Sequence, residues 1–320
     1  MVHARTFSFT DDSLHVAFPN TSGLDRKLSI PEAIAGPQSA DPGLLLFQLR
    51  RAQSYWYQEL YQSDAPPLGD PSSFVWQMCL DMREWGESLP VSLPAAIRQM
   101  FEQELRYSYV YCIAPSARAP QITDYHRTLI FEYSLAYLTD MHEIAHIGLN
   151  GAFYTYHDAL KVYFMGNQFL AVLRDAEDML LSGAQIQLPI RPGAPQAPPI
   201  PRPQIQPGRP VEDNLSRSLW CLETVPQTLE KYGERWEDAR MLKHSFEQLS
   251  EEAFDRLGKR RQMQSMGMEQ TQGPYPNGVG VSGPPSAVPV MAQGQQQQQQ
   301  QREIRWVGVD MTQMMPGRHQ

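Results

Sequence analysis

The spacing of apolar residues is the feature that most constrains this chain. Between residues 44 and 183, apolar side chains recur every three or four positions in five stretches, which is the period of a helix with one buried face. Prolines and glycines separate the stretches, and no strand-rich block or internal repeat interrupts them. The sequence therefore predicts an all-α fold, built as an irregular helical bundle.

Local signals set the ends of several of these helices. The first helical stretch starts at Leu44, and Asp70-Pro71 is typical of the start of the second, because Asp accepts from free backbone N–H groups and Pro suits the first helical position. Thr123 is a candidate cap for the fourth helix, and Gly183 suits a left-handed end of the fifth. The fourth stretch is apolar on two rows, which predicts a helix at the centre of the core.

Composition divides the chain into five segments. Residues 1–43 form an extended lead-in or a coil, and residues 44–183 form the first helical part of the domain. Residues 184–210 carry a proline at nearly every third position, which predicts a polyproline II spacer or a disordered loop, with an SH3 or WW ligand as the open alternative. Residues 211–261 add two closing helices, the first bent at Pro226. Residues 262–320, which include seven consecutive glutamines, predict a disordered tail.

Charge and cysteine usage exclude several classes of protein. The net charge of −8 disfavours non-specific binding to nucleic acid or to an anionic membrane, so we expect no direct nucleic-acid binding. No run of about 18 apolar residues is long enough to span a bilayer. The three cysteines, Cys79, Cys112 and Cys221, are too few and too scattered for a disulfide framework or a thiolate zinc cluster, which indicates a reduced intracellular protein.

One short motif suggests metal chemistry. His142-Glu143-Ile144-Ala145-His146 fits the H-E-x-x-H pattern, in which two imidazoles on one helical face hold zinc and the glutamate acts as general base. Under this hypothesis the chain is a zinc-dependent hydrolase. The alternative is that these are half-buried polar residues on a core helix, since Leu149 and Ala152 stand where a metzincin continuation needs Gly and His. No other enzyme signature occurs, so we expect no catalytic residue and no cofactor.

Several segments, in this order along the chain, resemble the regulatory domain of fungal zinc-cluster transcription factors. They are RTFSFTDD (residues 5–12), LRRAQSYW (49–56), WGESLP (85–90), YSYVYCIAPSARA (107–119), and the late tryptophans Trp220 and Trp236. The resemblance covers about residues 1–257 without the proline-rich spacer.

This resemblance implies an all-α regulatory domain of a nuclear transcription regulator, with control of a secondary-metabolite gene cluster as a further possibility. The six-cysteine zinc cluster of the family has no counterpart among the three cysteines here. The expected partners are therefore proteins of the transcription machinery or a DNA-binding subunit, and a homodimer is also open. The chain is then a natural short form, a regulator that acts through a partner, or an incomplete gene model.

Two further features fit that role, each with a plain structural alternative. Lys259-Arg260-Arg261 is either a nuclear import signal or the solvated end of a helix. Two aromatic rows suit either the core or a helix-in-groove interface. The rows are Tyr55, Trp56 and Tyr57, and Tyr107, Tyr109 and Tyr111.

Overall fold

Seven α-helices and one short π-helical turn make up most of the chain that the structure describes. The computed structural model describes residues 41–148, 154–184, 186–188, 192–201 and 213–269. In chain order the helices are α1 (Pro42–Tyr57), α2 (Pro71–Glu87), α3 (Ala95–Ile113), α4 (Asp124–Gly148), α5 (Tyr156–Ser182), α6 (Asn214–Gly233) and α7 (Asp238–Glu269), and the π-helical turn Gln58–Gln62 follows α1. No strand occurs in these residues, so the predicted all-α class is confirmed.

The first two helices both begin with an aspartate cap followed by a proline. The Asp41 carboxylate accepts a hydrogen bond from the Gly43 N–H at 2.8 Å, and Pro42 occupies the first turn. The first helix therefore begins at Pro42, and the predicted start at Leu44 was too late. The predicted start of α2 is confirmed, because Asp70 accepts from the backbone N–H of Ser73 at 3.2 Å.

Both ends of α5 are also fixed locally. Thr155 and Asp158 form a capping box. The Thr155 hydroxyl oxygen accepts from backbone N–H groups of the first turn, and the Asp158 carboxylate accepts from the Thr155 N–H at 2.8 Å. At the other end, Gly183 has a φ of 65°, the left-handed conformation that glycine adopts without steric cost, as the sequence predicts. One interior residue, Ala176, departs from helical geometry and kinks the helix.

Helix α4 lies at the centre of the bundle, as its two apolar rows predict. It packs against α3, α5 and α6, and α6 packs in turn against α7. Both rows of α4 are buried, including Leu129, Phe131, Leu135, Leu138 and Met141. The closing helices thus belong to the same core as the first five. Helix α6 continues through Pro226 without a break.

The proline-rich segment is only partly a spacer. Within residues 192–201, Ala197 and Ile200 pack against the core, and Pro198 is buried. The Tyr125 hydroxyl at the start of α4 donates a hydrogen bond to the Pro198 carbonyl at 2.7 Å. Residues 192–201 of the predicted spacer, which runs from 184 to 210, therefore pack on the bundle, because an apolar alanine and isoleucine between the prolines give this stretch a face to bury.

The predicted tail begins too early. Helix α7 continues to Glu269, so residues 262–269 are helical rather than part of a disordered tail. Good helix formers such as Met and Gln occupy most of these positions. The lead-in up to residue 40, residues 185, 189–191 and 202–210 of the proline-rich segment and the glutamine-rich region from residue 270 lie outside the described residues. Among the helices that are described, none is both long and apolar enough to cross a membrane.

Candidate functional site

The H-E-x-x-H motif lies near the C-terminal end of α4, beside α6. His142 is half-buried, whereas Glu143 and His146 are exposed. The imidazole rings of His142 and His146 have centroids 4.0 Å apart and planes inclined by 42°. The indole of Trp220 on α6 meets the His142 ring edge-on, with centroids 5.5 Å apart. The four-residue spacing therefore places both imidazoles together, as the helical pattern predicts.

Each of the two imidazole rings is held by a hydrogen bond at its own Nδ1 atom. Nδ1 of His146 lies 2.8 Å from the backbone carbonyl oxygen of His142. Nδ1 of His142 lies 3.1 Å from the Thr228 hydroxyl on α6. That hydroxyl donates its own proton to the Thr224 carbonyl at 2.8 Å. The pair is thus oriented by one contact within α4 and one contact to α6.

The protonation of His142 follows from its position. Burial, followed by the neighbouring His146, lowers the pKa of His142 below the usual value of an imidazole, and the Thr224 carbonyl opposes this only in part. Burial therefore favours the neutral form of His142. A neutral imidazole keeps one nitrogen lone pair for a proton or a metal ion.

The structure does not add a third ligand to this pair. A catalytic zinc site uses three protein ligands and leaves one position open. Within the described ranges, no group of three His, Cys, Asp or Glu side chains gathers closely enough to hold a metal ion. The structure brings His142 and His146 together, but the hydrolase hypothesis has no complete ligand set in the part of the chain that is described.

An open groove lies beside the motif. It has a volume of about 810 Å³ and lies between α6 and α7, with His146 of α4 also on its wall. Leu222, Pro226 and Phe254 supply the apolar part of its lining. The polar lining residues are Glu223, Gln227, Glu230, Lys231, Lys243, His244, Glu247, Gln248, Ser250, Glu251 and Asp255.

The groove carries an excess of negative charge. Five carboxylates and two lysines line it. Lys243 donates to Glu230 at 2.7 Å, and this hydrogen bond and charge lower the pKa of Glu230. Lys231 pairs with Glu234 at 2.7 Å. Because both lysines already have carboxylate partners, the surplus acidic side chains give the groove a negative potential.

Sequence reasoning missed this groove, although one signal points to it. The buried row of α7 contains Phe246, Ala253 and Leu257, which follow the helical period. Phe254 stands beside that row and remains 39% exposed. A large aromatic residue outside the apolar row is a weak sign of a surface that another molecule covers.

The structure places both aromatic rows in the core. Trp56, Tyr107 and Tyr109 are buried, and the other three rings pack against the core while partly exposed. Aromatic rings of these rows contact each other. The ring centroids of Tyr107 and Tyr111, for example, are 4.7 Å apart. These rows therefore contribute to the core of the bundle, which is the structural alternative given for them.

The cysteines and the basic cluster also have clear surroundings. Cys79, Cys112 and Cys221 are buried and free, and burial raises the pKa of Cys112 and of Cys221, which makes their thiols unreactive. In the basic cluster on α7, Arg260 pairs with Asp178 at 2.6 Å. Lys259 and Arg261 are exposed, so their charges are available at the surface.

Comparisons with known proteins give no family for this chain. No protein-family model matches it, and searches of curated proteins and of solved structures found no significant match. The resemblance to fungal zinc-cluster transcription factors therefore stays a prediction from short segments.

Proposed function

We propose that this chain is a transcription regulator that acts in the nucleus through protein–protein contact, and that the groove between α6 and α7 is its contact surface. The partner that fits the groove is a basic amphipathic helix, such as one supplied by a DNA-binding subunit. One observation carries this proposal: an open groove of about 810 Å³ combines an apolar lining with a surplus of carboxylates.

The shape and chemistry of the groove support a helical ligand. An amphipathic helix binds by placing its apolar side chains in a groove between helices. The half-buried Pro226 and Phe254, which is 39% exposed, offer apolar contacts for such a face. Glu223, Glu251 and Asp255 would face the flanks of the bound helix, where lysines and arginines give the best charge complementarity.

The role in transcription is supported by the sequence. The ordered segments that resemble the fungal regulatory domain, the glutamine-rich region and the exposed Lys259 and Arg261 fit a nuclear regulator. The net charge of −8 favours a partner that contacts DNA in place of this chain. Control of a secondary-metabolite gene cluster is the narrower form of the same proposal.

The test is deletion of the gene, followed by complementation and transcript profiling. We expect a set of transcripts to change on deletion and to be restored by the unaltered gene. Phe254→Glu places a like charge in the acidic groove and should fail to restore them. Val91→Glu is the matched control, because Val91 is 95% exposed and does not line the groove, so it should restore them fully.

Two results would contradict the proposal. Unchanged transcripts after deletion would remove the role in transcription. Full complementation by Phe254→Glu would remove the groove as the contact surface. A separate titration of purified protein with duplex DNA at low salt should show no binding. Direct DNA binding by this chain would instead appear as an affinity that falls steeply as the salt concentration rises.

A further inference from the structure

The hydrogen bonds of the histidine pair determine where its protons lie. A backbone carbonyl only accepts, so the contact from His146 to the His142 carbonyl requires a proton on Nδ1 of His146. The Thr228 hydroxyl has given its proton to Thr224, so at 3.1 Å it accepts from Nδ1 of His142. In the neutral form, both rings therefore carry their lone pair on Nε2.

We propose that Nε2 of His142 and Nε2 of His146 together bind one divalent transition-metal ion, of which Zn²⁺ is the test case. The two rings are 4.0 Å apart between centroids and lie on adjacent turns of one helix, so a single ion can reach both. Water completes the coordination, and the groove that His146 lines gives water access to that side of the pair. This is a binding site and needs no third protein ligand.

The surroundings of the pair are those of metal-binding histidines. Imidazole ligands of metals donate their other ring N–H to a carbonyl, carboxylate or water, which fixes the tautomer and the ring direction. Here a backbone carbonyl serves His146, and the hydroxyl of Thr228 serves His142. Trp220, edge-on to the ring of His142, further restricts its rotation. The site is therefore oriented before the ion binds, which lowers the cost of binding.

The proposal is independent of the function proposed for the groove, because the protein alone provides both ligands. Imidazole nitrogen suits zinc, copper and nickel, whereas Mg²⁺ and Ca²⁺ prefer oxygen ligands. The full chain should therefore bind Zn²⁺ and show no binding of Mg²⁺ at this site. Nitrogen chemical shifts of the histidine side chains in metal-free protein should report the Nδ1–H tautomer for both residues.

The decisive experiment is calorimetric titration of the full chain with Zn²⁺. We expect one equivalent to bind to the unaltered protein, and His142→Ala and His146→Ala each to weaken binding by about tenfold or more. His157→Ala is the matched control, since His157 is an exposed histidine on α5 that does not line the groove, and it should leave the affinity unchanged. Thr228→Val removes only the oxygen that orients His142 and should weaken binding by about 10–100-fold.

Several outcomes would overturn this site. Equal Zn²⁺ affinity in the unaltered protein, His142→Ala and His146→Ala would show that the ion binds elsewhere or not at all. A loss in His157→Ala as large as that in His146→Ala would show that the effect is not specific to the proposed pair. His146 is exposed, so its replacement does not disturb the core, and the thermal unfolding of this variant gives the check on folding.

Discussion

Lys161 of α5 and Glu104 of α3 form an ion pair inside the bundle. Their side chains are 7% and 8% exposed. Arg50 of α1 contacts the second carboxylate oxygen of Glu104 at 2.9 Å, and Asp158 lies 3.5 Å from the Lys161 ammonium. Burial alone would raise the pKa of Glu104, but Lys161 and Arg50 outweigh burial and bring it down to about 2. Three helices thus share one buried charge cluster.

Removing one member of this cluster should destabilise the protein strongly. Lys161→Met leaves the buried Glu104 with too little positive charge, so we expect the free energy of unfolding to fall by about 3–5 kcal/mol. Urea denaturation followed by circular dichroism measures this change. The double variant Lys161→Met, Glu104→Leu also removes the Glu104 carboxylate that the loss of Lys161 leaves without its ammonium partner, so the loss should be smaller than the sum of the two single losses.

The control for this experiment is an exposed pair. Lys231 and Glu234 are 40% and 61% exposed, so Lys231→Met should change the free energy of unfolding by about 1 kcal/mol or less. Strict additivity of the Lys161 and Glu104 replacements would contradict an energetic coupling between them.

His126 should make the protein less stable in mild acid. Its ring stacks on Trp76 with centroids 4.5 Å apart, and its Nδ1 accepts from the Thr123 N–H at 3.2 Å. Burial, and then Arg127, lower the pKa of His126 from 6.5 to about 4. The unfolded chain therefore binds this proton first, and stability falls as the pH drops from 6.5 toward 4, by up to about 3 kcal/mol.

Unfolding measured across this pH range tests the assignment. His126→Phe keeps a ring against Trp76 but does not titrate, so the slope of stability against pH should flatten between pH 6.5 and 4. His244→Phe replaces an exposed histidine and should leave the slope as it is. An equal slope in His126→Phe and in the unaltered protein would assign the acid sensitivity to other groups.

Gly166 should tolerate no side chain, because α5 and α7 approach closely there. A Cβ at Gly166 would lie 2.6 Å from the ring of Phe246, which is fully buried and has no room to move aside. Gly166→Ala should therefore lower the free energy of unfolding by about 1–3 kcal/mol. Thermal and urea unfolding of the purified variant measure the loss.

Gly258 provides the matched control. It lies on α7, and a Cβ there would meet nothing within 4 Å. Gly258→Ala should be neutral or should stabilise the helix by up to about 1 kcal/mol. If Gly166→Ala proved as harmless as Gly258→Ala, the close packing of α5 on α7 would not hold in solution.

The proline-rich segment should loosen when its hydrogen bond to α4 is removed. Tyr125→Phe deletes only the hydroxyl that donates to the Pro198 carbonyl. We expect a loss of about 0.5–1.5 kcal/mol and faster proteolysis near residues 192–201. Identical cleavage rates in the variant and the unaltered protein would show that other contacts hold this segment in place.

Some helix ends and the central position of α4 could be predicted from the sequence, because their causes are local. Asp70 and Gly183 fix helix ends through contacts within a few residues, and the two apolar rows of α4 show that it is surrounded. The sequence also predicted that His142 and His146 share a face. It did not predict the role of Thr228, which is distant along the chain and reaches His142 only because α6 packs on α4.

The sequence by itself therefore determined that this chain is helical, where α2 begins and where α5 ends, since helical hydrogen bonds, caps and apolar periodicity depend on near neighbours. The tertiary structure alone decided which helices meet. That choice buried Lys161 with Glu104, packed Pro198 against Tyr125 and opened the groove beside His146. Such contacts join residues far apart in the chain, and they depend on the shapes and volumes of whole helix faces, which no local pattern encodes.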